Sequence, residues 1–301
     1  MAGICDGRVV IVTGAAQGIG REHALAFARE GAHVVVNDLG VSRDGHGQDL
    51  SAAQAVVDEI AALGGQAIAN GADVADWEQT GALLQQTLDR FGKLDAIVNN
   101  AGFLRDRMFF KASVDEWDAV MRVHLRGHFC LARHAAAHWR SQVKAGNTVD
   151  ARIINTTSGA GLLGSVGQSA YAAAKAGVCG LTLVQAAELR RYGVTANAIA
   201  PAARTRMTEG LFGGMMDKPD EGFDKMAPGN ISPVVVWLGS AQSAHVSGRV
   251  FEIAGGELSV ADGWRQGAAI DKGRRWQPAE IGPAVDQLIA QAPTPEKVYG
   301  T

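Results

Sequence analysis

Arg8-Val9-Val10-Ile11-Val12-Thr13 is a β-branched run that stops at glycine, followed by Gly14-Ala15-Ala16-Gln17-Gly18-Ile19-Gly20 and a helical pattern from Arg21 to Glu30. A short run that is apolar at every position reads as a parallel strand buried on both faces. Glycines at a strand-to-helix turn let backbone approach a ligand closely, and the first N–H groups of the helix face an anion such as a pyrophosphate. The spacing Gly-x-x-x-Gly-x-Gly departs from the more familiar Gly-x-Gly-x-x-Gly, but the strand–glycine–helix context is the one a dinucleotide requires. A glycine turn that merely reverses the chain is the plainer alternative.

The rest of the chain repeats this alternation. A second strand, His33 to Asn37, ends at Asp38, where a carboxylate suits a ribose diol and repels a 2′-phosphate. That favours NAD over NADP, although Arg43 lies nearby in sequence. Gly40 to Asp49 is a long polar loop, and its His46 has no metal-spaced neighbour. A helix over Leu50 to Leu63 leads to a third strand, Gln66 to Ala69, and then to Asp73-Val74; Asp73 either meets an adenine edge or caps the next helix. The helix Trp77 to Phe91 precedes a fourth strand, Leu94 to Val98, which ends in Asn99-Asn100-Ala101-Gly102. One long helix is expected over Asp115 to His138, then a loop over Ser141 to Asp150. A fifth strand follows from Arg152 to Thr157, and Gly159 to Ser165 reads as a small-residue loop. The helix carrying Tyr171 runs to Tyr192, and a sixth strand, Val194 to Ala200, ends at Pro201. The Met-rich stretch Arg206 to Met226 reads either as a lid over an apolar substrate or as core packing. A helix over Pro233 to Leu238, a seventh strand over Arg249 to Ala254 and a helix near Ile281 to Ala290 complete the pattern. The expected fold is α/β: one Rossmann-type domain over residues 1–301, a doubly wound parallel sheet of about seven strands with its core over about 5–256 and an extension over 257–301.

Composition narrows the function classes. A net charge of −3 argues against a nucleic-acid surface. Three scattered cysteines, Cys5, Cys130 and Cys179, suggest a reducing compartment with neither a disulfide framework nor a zinc site. No apolar run is long enough to span a membrane, nothing resembles a signal peptide, and Tyr299-Gly300-Thr301 is not a peroxisomal address. The expectation is a cytoplasmic protein with a small-molecule substrate. His124 and His128 fall one helical turn apart without an evident third ligand, so packing or hydrogen bonding is favoured over a metal site.

Chemistry concentrates near Tyr171-Ala172-Ala173-Ala174-Lys175. In this Ala-rich helical stretch the spacing puts both side chains on one face. An ammonium beside a phenol should favour the phenolate and lower its pKa from about 10. The pair then suits proton exchange with an alcohol, and Ser158, at the end of the fifth strand, offers a hydroxyl to the same substrate oxygen.

Together these residues resemble the short-chain dehydrogenase/reductase family. The motifs occur in the family's order: Thr13-Gly14-Ala15-Ala16-Gln17-Gly18-Ile19-Gly20, Asn99-Asn100-Ala101-Gly102, Ser158 and Tyr171-x-x-x-Lys175. The resemblance implies Tyr171 as acid/base, Lys175 as its pKa modulator and holder of the nicotinamide ribose, and Ser158 as orienter of the reacting oxygen. It further implies Asp38 at the adenosine ribose, Asp73 and Val74 at the adenine, and Asn99, Ala101 and Gly102 along the cofactor. Thr205, just after Pro201, would contact the carboxamide. His124 stands where many members carry a relay asparagine, and Ala202 follows Pro201 where glycine is common. Asn37-Asp38-Leu39-Gly40, Leu104-Arg105-Asp106-Arg107, Arg122 to Gly127 and Ala200 to Met207 are more narrowly similar to the dehydrogenase unit of the multifunctional β-oxidation enzyme, also called a 17β-hydroxysteroid dehydrogenase. In that unit histidine replaces the relay asparagine. This narrower resemblance implies NAD-linked oxidation of a 3-hydroxyacyl-CoA, steroid-derived acyl groups included, by a homotetramer or homodimer. A free hydroxysteroid dehydrogenase, an NADPH-linked 3-oxoacyl reductase and a non-catalytic nucleotide-binding scaffold are the alternatives. Arg105, Arg107, Arg204 and the Lys272 to Arg275 patch are either partners for CoA phosphates or solvated surface.

Overall fold

The computed structural model describes residues 3–40, 49–205, 217–261 and 263–301. Arg43, His46 and most of the proposed lid, Met207 to Met216, lie outside them. The strands are β1 Val9–Thr13, β2 His33–Asn37, β3 Gln66–Asn70, β4 Ala96–Asn99, β5 Ala151–Thr156, β6 Val194–Ala202, β7 Val250–Ala254 and β8 Glu257–Ala261. They form one sheet in the order β3-β2-β1-β4-β5-β6-β7-β8. All neighbours are parallel except β7 and β8. The strand order reverses between β1 and β4, the switch point at which ligands bind in such sheets.

The helices are α1 Gly18–Arg29, α2 Ser51–Ala62, α3 Trp77–Phe91, α4 Val114–Met121, α5 Gly127–Lys144, α6 Gly159–Leu163, α7 Ser169–Leu189, α8 Ser232–Gly239 and α9 Pro278–Ile289. Two apolar layers sandwich the sheet. Val10, Val12, Val34 and Val36 point to one, with Phe27 of α1, Ile60 of α2 and Leu238 of α8. Ile11 and Val35, the alternate residues of the same strands, point to the other, with Leu83 of α3, Trp139 of α5 and Ala186 of α7. Burial on both faces is why β1 and β2 show no polar alternation. None of the described helices is long and apolar enough to cross a membrane.

The structure corrects the sequence reading in four places. The sheet has eight strands rather than about seven, because the chain turns at Gly255-Gly256 and β8 returns antiparallel along β7. Gly255, at φ +61, supplies the left-handed geometry of that two-residue turn. The long helix expected over Asp115 to His138 starts at Val114 and is interrupted by a π-helical turn, Arg122–Arg126; α5 then continues to Lys144, into the expected loop. The small-residue stretch after Ser158 is α6, a short helix rather than a loop. Asp73 does not cap α3; Asp76 does, accepting from the Gln79 N–H at 2.9 Å.

Candidate active site

The predicted cofactor residues collect at the carboxyl ends of the parallel strands. Thr13 ends β1, and its hydroxyl accepts from the N–H groups of Asn100 at 3.0 Å and Ala101 at 3.1 Å. The turn after β1 is thereby stitched to the loop after β4. Gly14 has φ +63, and a Cβ there would lie 2.8 Å from Ala101 Cα. No larger residue fits that turn without shifting one of the two loops. Gln17 is the N-cap of α1 but makes no side-chain cap, so Gly18, Ile19 and Gly20 open the helix with N–H groups that no Gln17 side chain claims. Thr205 lies beside them: a Cβ on Gly18 would sit 3.7 Å from its methyl group. Pro201 is the next-to-last residue of β6, across from Ile253 of β7.

Asp38 follows β2 directly. Its carboxylate accepts from the Ala16 N–H at 2.9 Å and the Gly40 N–H at 2.9 Å, so it is anchored at the glycine turn. Asp73 is ion-paired to Arg122 at 2.6 Å, and Val74 packs against the Gly127 backbone at the start of α5. Asn99, buried at the end of β4, donates to Asn155 Oδ1 at 2.9 Å, and Asn155 in turn donates to Thr182 and Gln185 of α7. This amide chain ties β4 and β5 to the helix that carries Tyr171.

Ser158 follows β5 and is the N-cap of α6, its Oγ accepting from the Ala160 N–H at 3.2 Å. Tyr171 stands in the first turn of α7, half-buried, with the Ser158 side chain near enough to favour its ionised form. Lys175, one turn further and 2 % exposed, donates to the Thr156 carbonyl at 2.7 Å, and its Nζ lies 5.6 Å from the Tyr171 ring centre. Thr157 completes the support by donating to the Lys175 carbonyl at 2.7 Å. Tyr171 and Lys175 stand one turn apart on α7, and their surroundings oppose ionisation of both. Burial pushes the Tyr171 phenol up from its ordinary value; the Ser158 contact opposes this, and the Asp106 charge adds to it. Burial also brings the Lys175 ammonium down to about 7. The ammonium is directed at the Thr156 carbonyl, and burial rather than the lysine dominates the surroundings of the phenol.

His124 lies in the π-helical turn, an irregularity concentrated at functional positions. Its ring meets that of Tyr171 edge-on, with centres 5.2 Å apart. Nε2 stands 2.6 Å from the Phe103 carbonyl oxygen and 3.1 Å from the Phe103 N–H, so either tautomer finds a partner there, and Nδ1 has no protein partner among the described residues. Gly102 makes the approach possible, since a Cβ there would fall 2.2 Å from His124 Cε1. Burial, then the Lys175 charge, drive His124 down to about 3, and His128 below it is also held well under the ordinary range by burial. His128 accepts from the Thr156 N–H at 3.4 Å, in line with a hydrogen-bonding role for the pair.

Some participants had no advance signal of their role. Asp106 accepts from Gln168 Nε2 at 3.0 Å, in the residue just before α7. Its placement depends on a bridge between Arg107 and Gln168, a contact across 61 residues that no local pattern encodes. The basic residues considered for phosphate are largely engaged: Arg107 pairs with Glu116, Arg204 with Asp224, and Lys272 and Arg274 both with Glu280. Arg105 lies over the Phe103 ring at 4.9 Å.

Comparison with known proteins identifies the family. The family model described as short chain dehydrogenase matches residues 8–213. The chain is 45 % identical to the hydroxyacyl-CoA dehydrogenase ChsB1 of Mycobacterium tuberculosis over 92 % of its length and 86 % of the relative's. It is 43 % identical to peroxisomal multifunctional enzyme type 2 of Mus musculus over 83 % of its length, but spans only 32 % of that larger protein. A crystal structure titled as a short chain dehydrogenase from Mycobacterium avium superposes with a TM-score of 0.90 at 60 % identity, covering 99 % of this chain and 100 % of the other.

Proposed function

Because this chain belongs to the short-chain dehydrogenase family, we propose that it is an NAD-dependent oxidoreductase acting on a secondary alcohol, with a 3-hydroxyacyl-CoA as substrate. The carrying observation is the convergence of Ser158, Tyr171, Lys175 and His124 beside the glycine turn, at the switch point of the sheet. The residues present fit a dinucleotide: a helix start without a side-chain cap, a turn too tight for a Cβ, and a carboxylate at the end of β2. When bound, the nicotinamide supplies the hydride acceptor, which is chemistry no side chain here can provide.

The protein's part is to hold the alcohol and take its proton. Ser158 orients the hydroxyl, and Tyr171, once ionised, accepts the proton through its phenolic oxygen. Lys175 would hold the nicotinamide ribose, and in its charged form it favours the phenolate. His124, edge-on to the tyrosine ring and with Nδ1 unpartnered among the described residues, is the group placed for onward transfer. Asp38 supports NAD over NADP by the same charge argument made from sequence. The name of the M. tuberculosis relative supports the thioester class. Exposed Phe129 on α5 and Leu183 and Val184 on α7 support association of those helices into a dimer or tetramer.

A panel decides. kcat/KM for 3-hydroxyacyl-CoA thioesters with NAD should exceed that for free steroid alcohols, and NADP should be a poor substitute. Preference for a steroid alcohol would reject the thioester assignment; preference for NADPH with 3-oxoacyl substrates would make the protein a reductase. Tight NAD binding with no turnover of any alcohol would leave a scaffold.

A further inference from the structure

We propose that the C-terminal tail, residues 294–301, forms one wall of the substrate site, that the cleft between it and α6 receives the acyl chain, and that Tyr299 is a specificity-determining residue. The acyl assignment rests on the proposed 3-hydroxyacyl-CoA reading; the placement of the tail does not.

The tail folds back onto the segment that links Ser158 to Tyr171. Tyr299 forms a parallel bridge with Ser165. The Val166 N–H donates to the Tyr299 carbonyl at 2.9 Å, and the Tyr299 N–H donates to the Gly164 carbonyl at 3.3 Å. These backbone bonds fix the register of the tail on the α6–α7 connection. Side chains then close on the glycines of that connection. A Cβ on Gly159, the residue after Ser158, would lie 2.7 Å from the Tyr299 hydroxyl, and a Cβ on Gly164 would lie 3.5 Å from Val298 Cγ1. Gly159 thus gives the phenol room to lie directly against backbone adjoining the candidate catalytic serine.

The space left between Leu163 and the tail is an open cleft of about 610 Å³, lined also by Pro295, Val298 and Lys297. That volume falls in the range of small-molecule sites. Leu163, Pro295 and Val298 offer apolar surface to a hydrocarbon chain, while Glu296 and Lys297 place opposite charges on the same lining. Tyr299 is 45 % exposed, so it borders the cleft rather than filling the core. Burial and the Glu252 charge keep its phenol protonated, hence a neutral wall and a hydrogen-bond donor. The family model ends at residue 213, so this wall lies outside the stretch shared with the family at large and can differ between members.

Two measurements test the placement and the role separately. Hydrogen exchange in the full-length chain should show residues 159–168 protected, with protection lost in a chain ending at Thr294. Equal exchange in the two chains would overturn the wall. The ratio of kcat/KM for 3-hydroxyhexadecanoyl-CoA over 3-hydroxybutanoyl-CoA should fall tenfold or more in Tyr299→Ala and in the truncated chain, with NADH affinity by fluorescence titration retained as a check on folding. A ratio within twofold of wild type in both variants would overturn the specificity role. If wild type oxidises neither thioester, the proposed reading fails; the acyl-chain cleft is then overturned as well unless hexadecanoyl-CoA adds protection at residues 294–301. The exchange comparison judges the wall in either case.

Discussion

The cofactor half and the proton-handling half of the site solve opposite problems. Around Gly14, Ala16, Asp38 and Thr13, charge and polarity are met by backbone: Asp38 is held by two N–H groups, and Thr13 takes two more. Around Tyr171, Lys175, His124 and His128, titratable groups are held in poorly solvated surroundings, and each is pushed toward its neutral form. The first half is a matter of shape, which a single Cβ destroys. The second is a matter of electrostatics, in which a ligand or one charge can move the balance.

The largest expected effect falls on the second half. Tyr171→Phe should lower turnover by roughly 10²–10⁴-fold, the usual worth of a positioned acid–base group. NADH affinity, read by fluorescence titration, should stay near wild type, because the hydroxyl does not shape the glycine turn. Unchanged turnover would erase the distinction between the halves. Gly14→Val addresses the first half: with φ +63 and Ala101 Cα in the way, the loops must part, and NAD affinity should weaken about tenfold or more. Calorimetry showing wild-type affinity would refute the role of shape.

Acid should expose the cost of the neutral histidines. His23, His124 and His128 have folded pKa values pulled down by burial, the first two to about 3. Below the unfolded value near 6.5 the unfolded chain binds more protons, so stability is lost as pH falls. By pH 5 that linkage costs about 2 kcal/mol per imidazole, measurable as a falling urea midpoint between pH 7 and 5. His23, whose Nδ1 meets Ser232 Oγ at 2.9 Å away from the site, offers the control: His23→Gln should flatten the slope without altering turnover. The smallest effect is expected from Asp106→Asn. An amide oxygen can still accept from Gln168, but the charge that raises the phenol is gone. The acid limb of the kcat/KM profile for oxidation should therefore move to lower pH; a profile that stays in place would mean the Asp106 charge is screened.

Legibility followed the range of the interaction. The continuous apolar run of β1, its glycine turn and the one-turn spacing of Tyr171 and Lys175 are local patterns, and they appear where the sequence puts them. β8 was missed because Glu257-Leu258-Ser259-Val260-Ala261 is exposed at the sheet edge and lacks the apolar run that marked the inner strands; Gly255-Gly256 was the available sign. The π-helical turn left no mark either, because His124 fits an α-helical stripe and only its bond to Phe103 draws the ring aside.

By itself, the sequence determined the alternation of strands and helices, the switch-point fold and which residues stand at the strand ends, because hydrophobic period and glycine conformation act over a few neighbouring residues. Tertiary structure alone decided the protonation tendencies and the company each group keeps: a phenol raised rather than lowered, a histidine turned to a carbonyl, a tail laid beside Ser158. Desolvation and long-range contact are properties of the packed molecule, and no window of chain carries them.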